Sequence, residues 1–312
     1  MTTDNKARKG LLFIGHGSRD VAGVDEFNQV MQKLSSLFND RLCETGFLEF
    51  ATPVIRTGFE RLLEQGVQQI IAVPSMLMAA GHAKNDIPSE VQALQASYPQ
   101  VSLTYGVELG VHAQLIQAAA QRIEAAQQTL ASQPSETLLM VVGRGASDAD
   151  ANSNISKITR MLWEGMGFGW AETSFIGVTQ PLLEDALERC VGLGYQNIIV
   201  FPYFLFTGRL VKKIYQITDE FQQRHGNINV VKAGYLNDHP LVIDAFVSRI
   251  REVEQGDGNM NCQLCHYRER IVGAEHKVGE PQASHHHHVR GIGTDVEHSH
   301  SHAPHARHDL SR

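Results

Sequence analysis

The chain has 312 residues, of which 42% are hydrophobic and 20% are charged, and its net charge is −7. This composition is typical of a globular protein, and the length favours two domains at roughly 150 residues each. The acidic net charge argues against a nucleic-acid partner, and no run approaches the roughly 20 apolar residues of a membrane helix. Because the polar N-terminus lacks the pattern of a signal peptide, we expect a cytoplasmic protein without a membrane partner.

Predicted strands and helices alternate along the first half of the chain. The strands are predicted at 11–15, 46–52, 68–77 and 101–107. The helices are predicted at 24–38, 54–65, 87–96 and 112–128. Short runs rich in Val, Ile and Leu that alternate with amphipathic helices indicate a mainly parallel sheet with helices on both faces.

The second half of the chain repeats the first at an offset of 128 residues. The matched framework residues include Gly15 and Gly143, Gly17 and Gly145, Pro53 and Pro181, and Pro74 and Pro202. After a slip of one residue, Gly81 matches Gly208 and His112 matches His239. A period this long is far above that of solenoid repeats, so it indicates the duplication of a whole domain.

The duplication and the composition divide the chain into three segments. Residues 9–130 and 136–252 are predicted to form two tandem α/β domains, joined by a polar stretch around Pro134. Residues 255–312 have few apolar residues and no periodicity, so we expect a disordered, His-rich tail.

Three polar side chains follow three different predicted strands of the first half, namely His16, Glu49 and His82. Ligands of open parallel sheets bind beyond the carboxyl ends of the strands, so these side chains are expected to meet at one rim. Two imidazoles and a carboxylate suit a divalent metal such as Co²⁺, Fe²⁺ or Ni²⁺, and the same groups can accept protons. We interpret Gly15 and Gly17 as residues that allow a tight turn and let a large ligand approach the backbone closely.

The second half keeps the framework but loses all three candidate ligands. His16 is replaced by Arg144, Glu49 by Gly177 and His82 by Arg209. Residues that served only the fold would have no reason to change as a set. The contrast predicts an active N-terminal half and a supporting C-terminal half, whose Arg144 and Arg209 are candidates for holding carboxylates of an anionic ligand.

Other interpretations of the segment around His16 have less support. A single histidine after a strand is often a capping or loop residue, but that does not explain why three such residues disappear together. The segment has no GxxxxGK[ST] phosphate-binding pattern. It also has no G-x-S-x-G around Ser18, so a serine hydrolase is not indicated.

Four stretches of sequence resemble one known family. They are LLFIGHGSRD at 11–20, FLEFATP at 47–53, VPSMLMAAGHAKNDIP at 73–88 and MNCQLC at 260–265. Together with the duplicated half, they resemble the long-form sirohydrochlorin cobaltochelatases of the CbiX type, a family of class II chelatases. The resemblance covers residues 9–250, with the M-x-C-x-x-C pattern lying in the tail.

The resemblance implies ATP-independent insertion of Co²⁺ into sirohydrochlorin for cobalamin synthesis, in two tandem chelatase-like domains. It assigns metal binding to His16 and His82, and it assigns the family's strand-end acid to Glu49. The substrate carries eight carboxylates and loses two inner protons as the metal enters. The residues expected to contact that substrate are Ser18, Lys84, Arg144 and Arg209.

The tail is expected to bind metal through Cys262 and Cys265, where long-form family members carry an iron–sulfur cluster. A [4Fe-4S] cluster needs further ligands, which Cys43, Cys190, the tail of a second chain in a homodimer, or residues other than cysteine would supply. Zinc bound with His266 or His276 is an alternative. The C-x-x-C-H pattern also matches c-type haem attachment, but that chemistry occurs outside the cytosol and the sequence shows no export signal. A thioredoxin-like role is not favoured, because the motif does not stand at the start of a helix in a βαβ unit.

The sequence leaves alternatives both for the metal and for the function of the protein. The same three ligands suit Fe²⁺, so a sirohydrochlorin ferrochelatase that makes sirohaem is the nearest alternative. Eleven of the 16 histidines lie between His266 and His308, so the tail is either a store or delivery arm for metal or a solvated segment. A non-enzymatic nickel or cobalt store would keep its function without His16 and His82, whereas an enzyme would keep basal activity without residues 255–312.

Overall fold

The computed structural model describes residues 8–258 and 265–279, and within them strands and helices alternate through two similar halves. The first half contains β1 (Lys9–Gly15), α1 (Val21–Ser35), β2 (Leu42–Phe47), α2 (Ile55–Glu64), β3 (Gln69–Pro74), a π-helical turn (His82–Asp86), α3 (Ile87–Ser97), β4 (Ser102–Tyr105) and α4 (Ala113–Gln127). The second half contains a 3₁₀ turn (Pro134–Glu136), β5 (Thr137–Gly143), α5 (Ala149–Met166), β6 (Trp170–Phe175), α6 (Leu183–Val191), β7 (Asn197–Pro202), α7 (Arg209–Arg224), β8 (Asn229–Lys232) and α8 (Pro240–Gln255).

Each half forms a four-stranded parallel sheet. The strand orders are β2-β1-β3-β4 and β6-β5-β7-β8, and every pairing is parallel. The predicted fold class, two duplicated α/β units with mainly parallel sheets, is therefore confirmed. Because β1 has β2 on one side and β3 on the other, the direction of strand addition reverses at β1, where open α/β sheets form their ligand crevice.

The duplication extends to the caps of the helices. Asp20 and Asp148 accept backbone N–H groups at the starts of α1 and α5. His112 and His239 do the same at the starts of α4 and α8. Such caps satisfy N–H groups that have no partner within the helix, so folding alone explains why both halves contain these four residues.

Alternate residues of the central strands face two different cores. On β1, Leu12 and Ile14 pack against α2 and α3 on the outer face of the first sheet. Leu11 and Phe13 point the other way, into a core that also contains Leu139 of β5. This second core is continuous between the halves, because the inner faces of both sheets contribute to it.

The last helix of each half packs on the sheet of the other half. Helix α4 contacts β7 and β8, whereas α8 contacts β3 and α1, and the two helices also contact each other. The two sequence repeats are therefore not two separately packed bodies. They share the layer of helices that lies between their sheets.

The second strand begins earlier than the sequence predicts. The prediction was 46–52, but β2 runs from Leu42 to Phe47. β2 is the edge strand of its sheet and is only half-buried along most of its length. Such a strand can contain polar residues such as Glu44. Because of these residues β2 is not an apolar run, so the sequence pattern did not predict it at this position.

Part of the tail differs from the expected disorder. Residues 265–279 form turns and a 3₁₀ turn at Glu275–Lys277, and both Cys265 and His266 are buried. At its start, Gln255 is the last residue of α8. Residues 259–264, which include Cys262, and 280–312 lie outside the described residues, so the predicted disorder is not tested there. Among the helices that the structure describes, none is long and apolar enough to cross a membrane.

Candidate metal centre

The structure brings together the three polar residues that follow β1, β2 and β3. His16 Nε2 lies 3.0 Å from Glu49 Oε1 and 3.2 Å from His82 Nε2. One ligand atom from each residue lies within 4.8 Å of the others. Within residues 8–258 and 265–279, no other group of three His, Cys, Asp or Glu side chains converges in this way.

The far side of each imidazole is held by an acceptor. His16 Nδ1 lies 3.0 Å from the carbonyl oxygen of Gly17, and His82 Nδ1 lies 2.8 Å from Asp86 Oδ2. A carbonyl and a carboxylate can only accept hydrogen bonds, so both Nδ1 atoms carry the proton. Each Nε2 of a neutral imidazole therefore directs its lone pair towards the shared centre.

Three acceptor atoms thus face one another within 4.8 Å in a largely buried position, and His16 Nε2 lies about 3 Å from each of the other two. Glu49 is 8% exposed, so water does little to screen its charge. Such an arrangement is repulsive unless a cation or a proton lies among the acceptors. A divalent metal held by the three atoms would remove this repulsion.

Burial favours the neutral form of His82, whereas the nearby charges act in both directions. Burial lowers the pKa of His82 below its ordinary value of 6.5, and the nearby charges of His16 and Arg144 lower it further, although Asp86 opposes the shift. Arg144 comes from the second half, at the position equivalent to His16. Arg144 is exposed, but the protein around its guanidinium partly removes it from water and lowers its pKa, while the charge of Glu49 opposes that shift.

Gly17 lies in a turn, as expected from the sequence, and it also allows a close contact between two loops that the sequence did not indicate. Gly17 has a φ of +93°, and a Cβ there would overlap the carbonyl oxygen of Glu49. Gly145 makes the same close approach to the carbonyl of Gly177 in the second half. Gly17 therefore lets the loop after β1 cross the loop after β2, which explains why the duplicate keeps the glycine although it lost the ligands.

A cavity of about 670 Å³ lies over this centre, between the two halves. Its walls are largely apolar, with contributions from Phe50, Met76, Met78, Phe204, Leu205 and Phe206. Cationic side chains also line it, namely Arg19, Arg144 and Arg209. An apolar slot with a few fixed charges suits a flat, largely apolar ligand that carries anionic groups at its edge.

The residues predicted to contact the substrate divide into two groups. Ser18, Arg144 and Arg209 line the cavity. Lys84 does not: its side chain is fully buried and its Nζ lies 2.8 Å from Asp148 Oδ2 and 3.2 Å from Asp150 Oδ2. The structure thus contradicts the expected substrate contact of Lys84, because two carboxylates of the second half already neutralise its charge.

Sequence reasoning overlooked two residues near the centre. Arg19 lines the cavity and stacks over Phe50, with its guanidinium carbon 4.7 Å from the ring centroid. The sequence did indicate this role, because Arg19 follows Ser18 in the segment after the first strand, where a ligand is expected. Asp86 was also overlooked, although it stands four residues after His82 in a helical segment, a spacing that brings side chains together.

The described part of the tail lies beside this region. His266 Nδ1 lies 3.6 Å from Asp148 Oδ2, and its Nε2 is buried with no hydrogen-bond partner among the described residues. Cys265 is buried and free. The predicted cluster or zinc site also needs Cys262, which lies outside the described residues, so that site stays a prediction.

Comparisons with known proteins agree with the geometry. The CbiX family model matches residues 10–126 and 138–253. A sirohydrochlorin cobaltochelatase of Priestia megaterium is 38% identical over 268 residues, which cover 85% of this chain and 86% of the relative. A sirohydrochlorin ferrochelatase of the same organism is 30% identical over 250 residues, which cover 80% of this chain and 92% of the relative.

A solved structure supports the same assignment. The sirohydrochlorin chelatase SirB from Bacillus subtilis subspecies spizizenii, in complex with cobalt, matches with a TM-score of 0.67 and 27% identity. The match covers 80% of this chain and 96% of that one. The resemblance drawn from the sequence motifs is confirmed, and the chain belongs to the CbiX family.

Proposed function

We propose that this protein is a sirohydrochlorin chelatase that inserts Co²⁺ into the macrocycle, releasing two protons and consuming no ATP. The observation that carries the proposal is the convergence of His16 Nε2, His82 Nε2 and Glu49 Oε1 beneath a cavity open to a large ligand. Relatives of similar length that bear the names of sirohydrochlorin chelatases support the same substrate.

The three ligand atoms hold Co²⁺ before insertion. Two neutral imidazoles and one carboxylate leave positions on the metal open to the nitrogens of the incoming ring. The metal then leaves its protein ligands for the macrocycle. The empty ligand atoms become acceptors for the two inner protons that the macrocycle loses.

This exchange conserves the charge of the buried centre. A charge of +2 leaves with the metal, and two protons can replace it on His16, His82 or Glu49. If the metal left and no proton replaced it, the carboxylate of Glu49 would remain uncompensated in surroundings that solvate charge poorly. The protons then leave for solvent, which resets the site for the next metal ion.

The cavity walls orient the substrate above the metal. Phe50, Met76 and Phe206 offer apolar surface to the faces of the macrocycle. Arg144 and Arg209 provide positive charge for its peripheral carboxylates, and guanidinium groups bind carboxylates with defined geometry. Ser18 lines the same cavity, although its hydroxyl already accepts the backbone N–H of Asp20.

Co²⁺ is the metal best supported, and Fe²⁺ is the alternative. The cobaltochelatase relative shares 38% identity with this chain and the ferrochelatase relative shares 30%. The donor set itself suits both ions, because it contains no feature that separates neighbouring divalent metals of the first row. Neither the predicted [4Fe-4S] cluster nor the predicted homodimer through the tail enters this mechanism.

The proposal is tested by following the absorbance of sirohydrochlorin anaerobically with Co²⁺ or Fe²⁺. We expect insertion by the intact chain, no insertion above the uncatalysed rate by His16→Ala or His82→Ala, and retained activity in a chain that ends at Gln255. Faster insertion of Co²⁺ than Fe²⁺ is the expected metal preference. Insertion that survives both histidine changes would contradict the site, and metal binding without insertion by any form would favour a storage protein.

A further inference from the structure

A buried carboxylate next to the metal centre has a role that neither metal binding nor substrate binding explains. The side chain of Asp86 is 5% exposed. Its Oδ2 lies 2.8 Å from His82 Nδ1, and its Oδ1 accepts the side-chain amide of Asn85 at 3.1 Å. Each carboxylate oxygen therefore has a fixed partner, one of which is a candidate metal ligand.

Folding of the local helix does not account for this carboxylate. Asp86 stands at the N-cap position of α3, where an aspartate often accepts backbone N–H groups, but its side chain makes no capping hydrogen bond there. The carboxylate is turned towards His82 instead. A carboxylate buried away from water is costly, so its retention calls for a partner that uses its charge.

The second half of the chain provides an internal comparison. With the one-residue slip, Asp86 corresponds to Lys213, just as His82 corresponds to Arg209. The carboxylate is thus replaced in the same half in which the histidine is replaced. A residue needed for the fold alone would be expected in both copies, as the capping residues Asp20 and Asp148 are.

The local backbone differs between the halves at the same place. His82–Asp86 forms a π-helical turn, whereas the equivalent segment of the second half is the regular start of α7. Widened turns of this kind are rare and are frequently found at functional sites. The irregular turn is therefore found in the half that carries the His82 and Asp86 pair.

We propose that Asp86 is a positioning residue that fixes the imidazole of His82 with Nδ1 protonated and Nε2 directed at the metal. An ionised carboxylate only accepts hydrogen bonds, so it selects this tautomer and this ring orientation. Asn85 in turn holds the carboxylate. The identity of the metal as a substrate rests on the proposed function, but the positioning role concerns metal binding by itself.

The test measures Co²⁺ binding to the full chain without any tetrapyrrole, by calorimetry and by the visible absorption of bound Co²⁺. Asp86→Asn keeps the shape of the side chain but removes its charge, and it is expected to weaken Co²⁺ binding about 10- to 100-fold. Asp86→Glu, which keeps the charge, should bind Co²⁺ more tightly than Asp86→Asn does. Glu90→Gln, one turn further along in α3, is the matched control and should bind as the intact chain does.

A double-variant cycle separates positioning from a general effect on folding. In a His82→Ala background, Asp86→Asn should cause little additional loss of Co²⁺ affinity, because the residue acts through the imidazole. An equal loss in both backgrounds would overturn the proposal, as would affinity within twofold of the intact chain for Asp86→Asn. If His16→Ala and Glu49→Gln also bind Co²⁺ normally, the metal centre itself is wrong, which is a different result.

Discussion

His16 is placed by its glycine neighbours as much as by its strand. Gly17 adopts a left-handed φ and lies so close to the Glu49 carbonyl that no side chain fits between the two loops. The crossing fixes the loop that bears His16 against the loop that bears Glu49. The position of the metal centre therefore depends on a residue that contributes no ligand atom.

Gly17→Ala is expected to destabilise the fold by about 1–3 kcal/mol, because alanine disfavours this backbone conformation and its Cβ meets the Glu49 carbonyl. It should also weaken Co²⁺ binding at least tenfold, since the Glu49 loop must move. Gly145→Ala is the matched control, because a Cβ at Gly145 would overlap the carbonyl oxygen of Gly177 in the same way, but in the half without the metal ligands. Chemical denaturation should find similar losses of stability, and Co²⁺ titration should find weakened binding only for Gly17→Ala; equal binding by both variants would contradict this account.

The pKa of His82 is a second property that can be measured at the residue scale. Its pKa should lie below 6.5, because burial disfavours the charged imidazole. The imidazole is then neutral at pH 7 and becomes charged only as the pH falls through the lowered pKa. Removing the positive charge of Arg144 should raise this pKa, because a neighbouring cation opposes protonation.

An NMR titration of His82 in the metal-free protein measures the direction in which its pKa changes. Arg144→Met should move the midpoint to higher pH than in the intact chain, whereas Arg160→Met, on the exposed surface of α5, should not. A midpoint that stays fixed or moves to lower pH in Arg144→Met would show that the two groups do not interact.

The ligands were predictable from the sequence, but their supports were not. His16, Glu49 and His82 follow apolar strands and vanish together in the duplicate, which marks them without any structure. Asp86 left only a weak signal in its spacing from His82. Lys84 was misassigned, because a lysine near a candidate ligand looks the same in sequence whether it faces solvent or a buried carboxylate.

At the scale of elements, the π-helical turn connects the metal centre to the second half. The side chain of His82 lines the cavity. The side chain of Lys84, from the same turn, forms ion pairs with Asp148 and Asp150 at the start of α5. Asp148 also caps α5. The ion pair therefore fixes the orientation of the turn relative to the other half of the molecule.

Lys84→Met should cost about 3–5 kcal/mol of unfolding free energy, because it leaves two buried carboxylates without a cation. Adding Asp150→Asn should recover part of that loss, since it removes one of the uncompensated charges. Lys212→Met is the control: Lys212 pairs with Asp20, but its side chain is 60% exposed, so less than about 1 kcal/mol is expected. Urea denaturation measures all three variants, and a loss for Lys84→Met no larger than that for Lys212→Met would refute the anchoring role.

The edge strands show where element prediction from sequence fails. The central strands β1, β3, β5 and β7 are apolar runs, and all were visible as such in the sequence. β2 is half-buried at the edge of its sheet, and its polar residues displaced the predicted strand by several positions. An apolar run reports burial on both faces, so it identifies central strands better than edge strands.

At the scale of the whole molecule, the duplication predicted two domains but not the way in which they combine. The sequence repeats end between α4 and β5, which suggests that the chain could be divided there. The structure instead places α4 on the second sheet and α8 on the first, around one shared core. Sequence periodicity shows which face of a helix is apolar, but it does not show which sheet covers that face.

The isolated first half, residues 1–133, is therefore not expected to fold as a stable monomer. Leu115 and Ile123 of α4 are completely buried in the full chain, and the separated half would lose the second sheet that α4 contacts. Each such side chain contributes about 1.5–3 kcal/mol when buried, and the loss of α8 from the first sheet adds to that cost. Domains have only about 5–15 kcal/mol of net stability, so the combined loss is comparable to the whole.

Light scattering and thermal unfolding of the half chain test this expectation, with the two halves produced together as the control. Residues 1–133 alone should aggregate, self-associate or unfold without a cooperative transition. Together with residues 134–312, they should form a 1:1 complex that binds Co²⁺, because the exchanged helices again reach their sheets. A monomeric half with a cooperative transition and undiminished Co²⁺ affinity would show that the shared core is dispensable, and that the metal centre needs nothing from the second half.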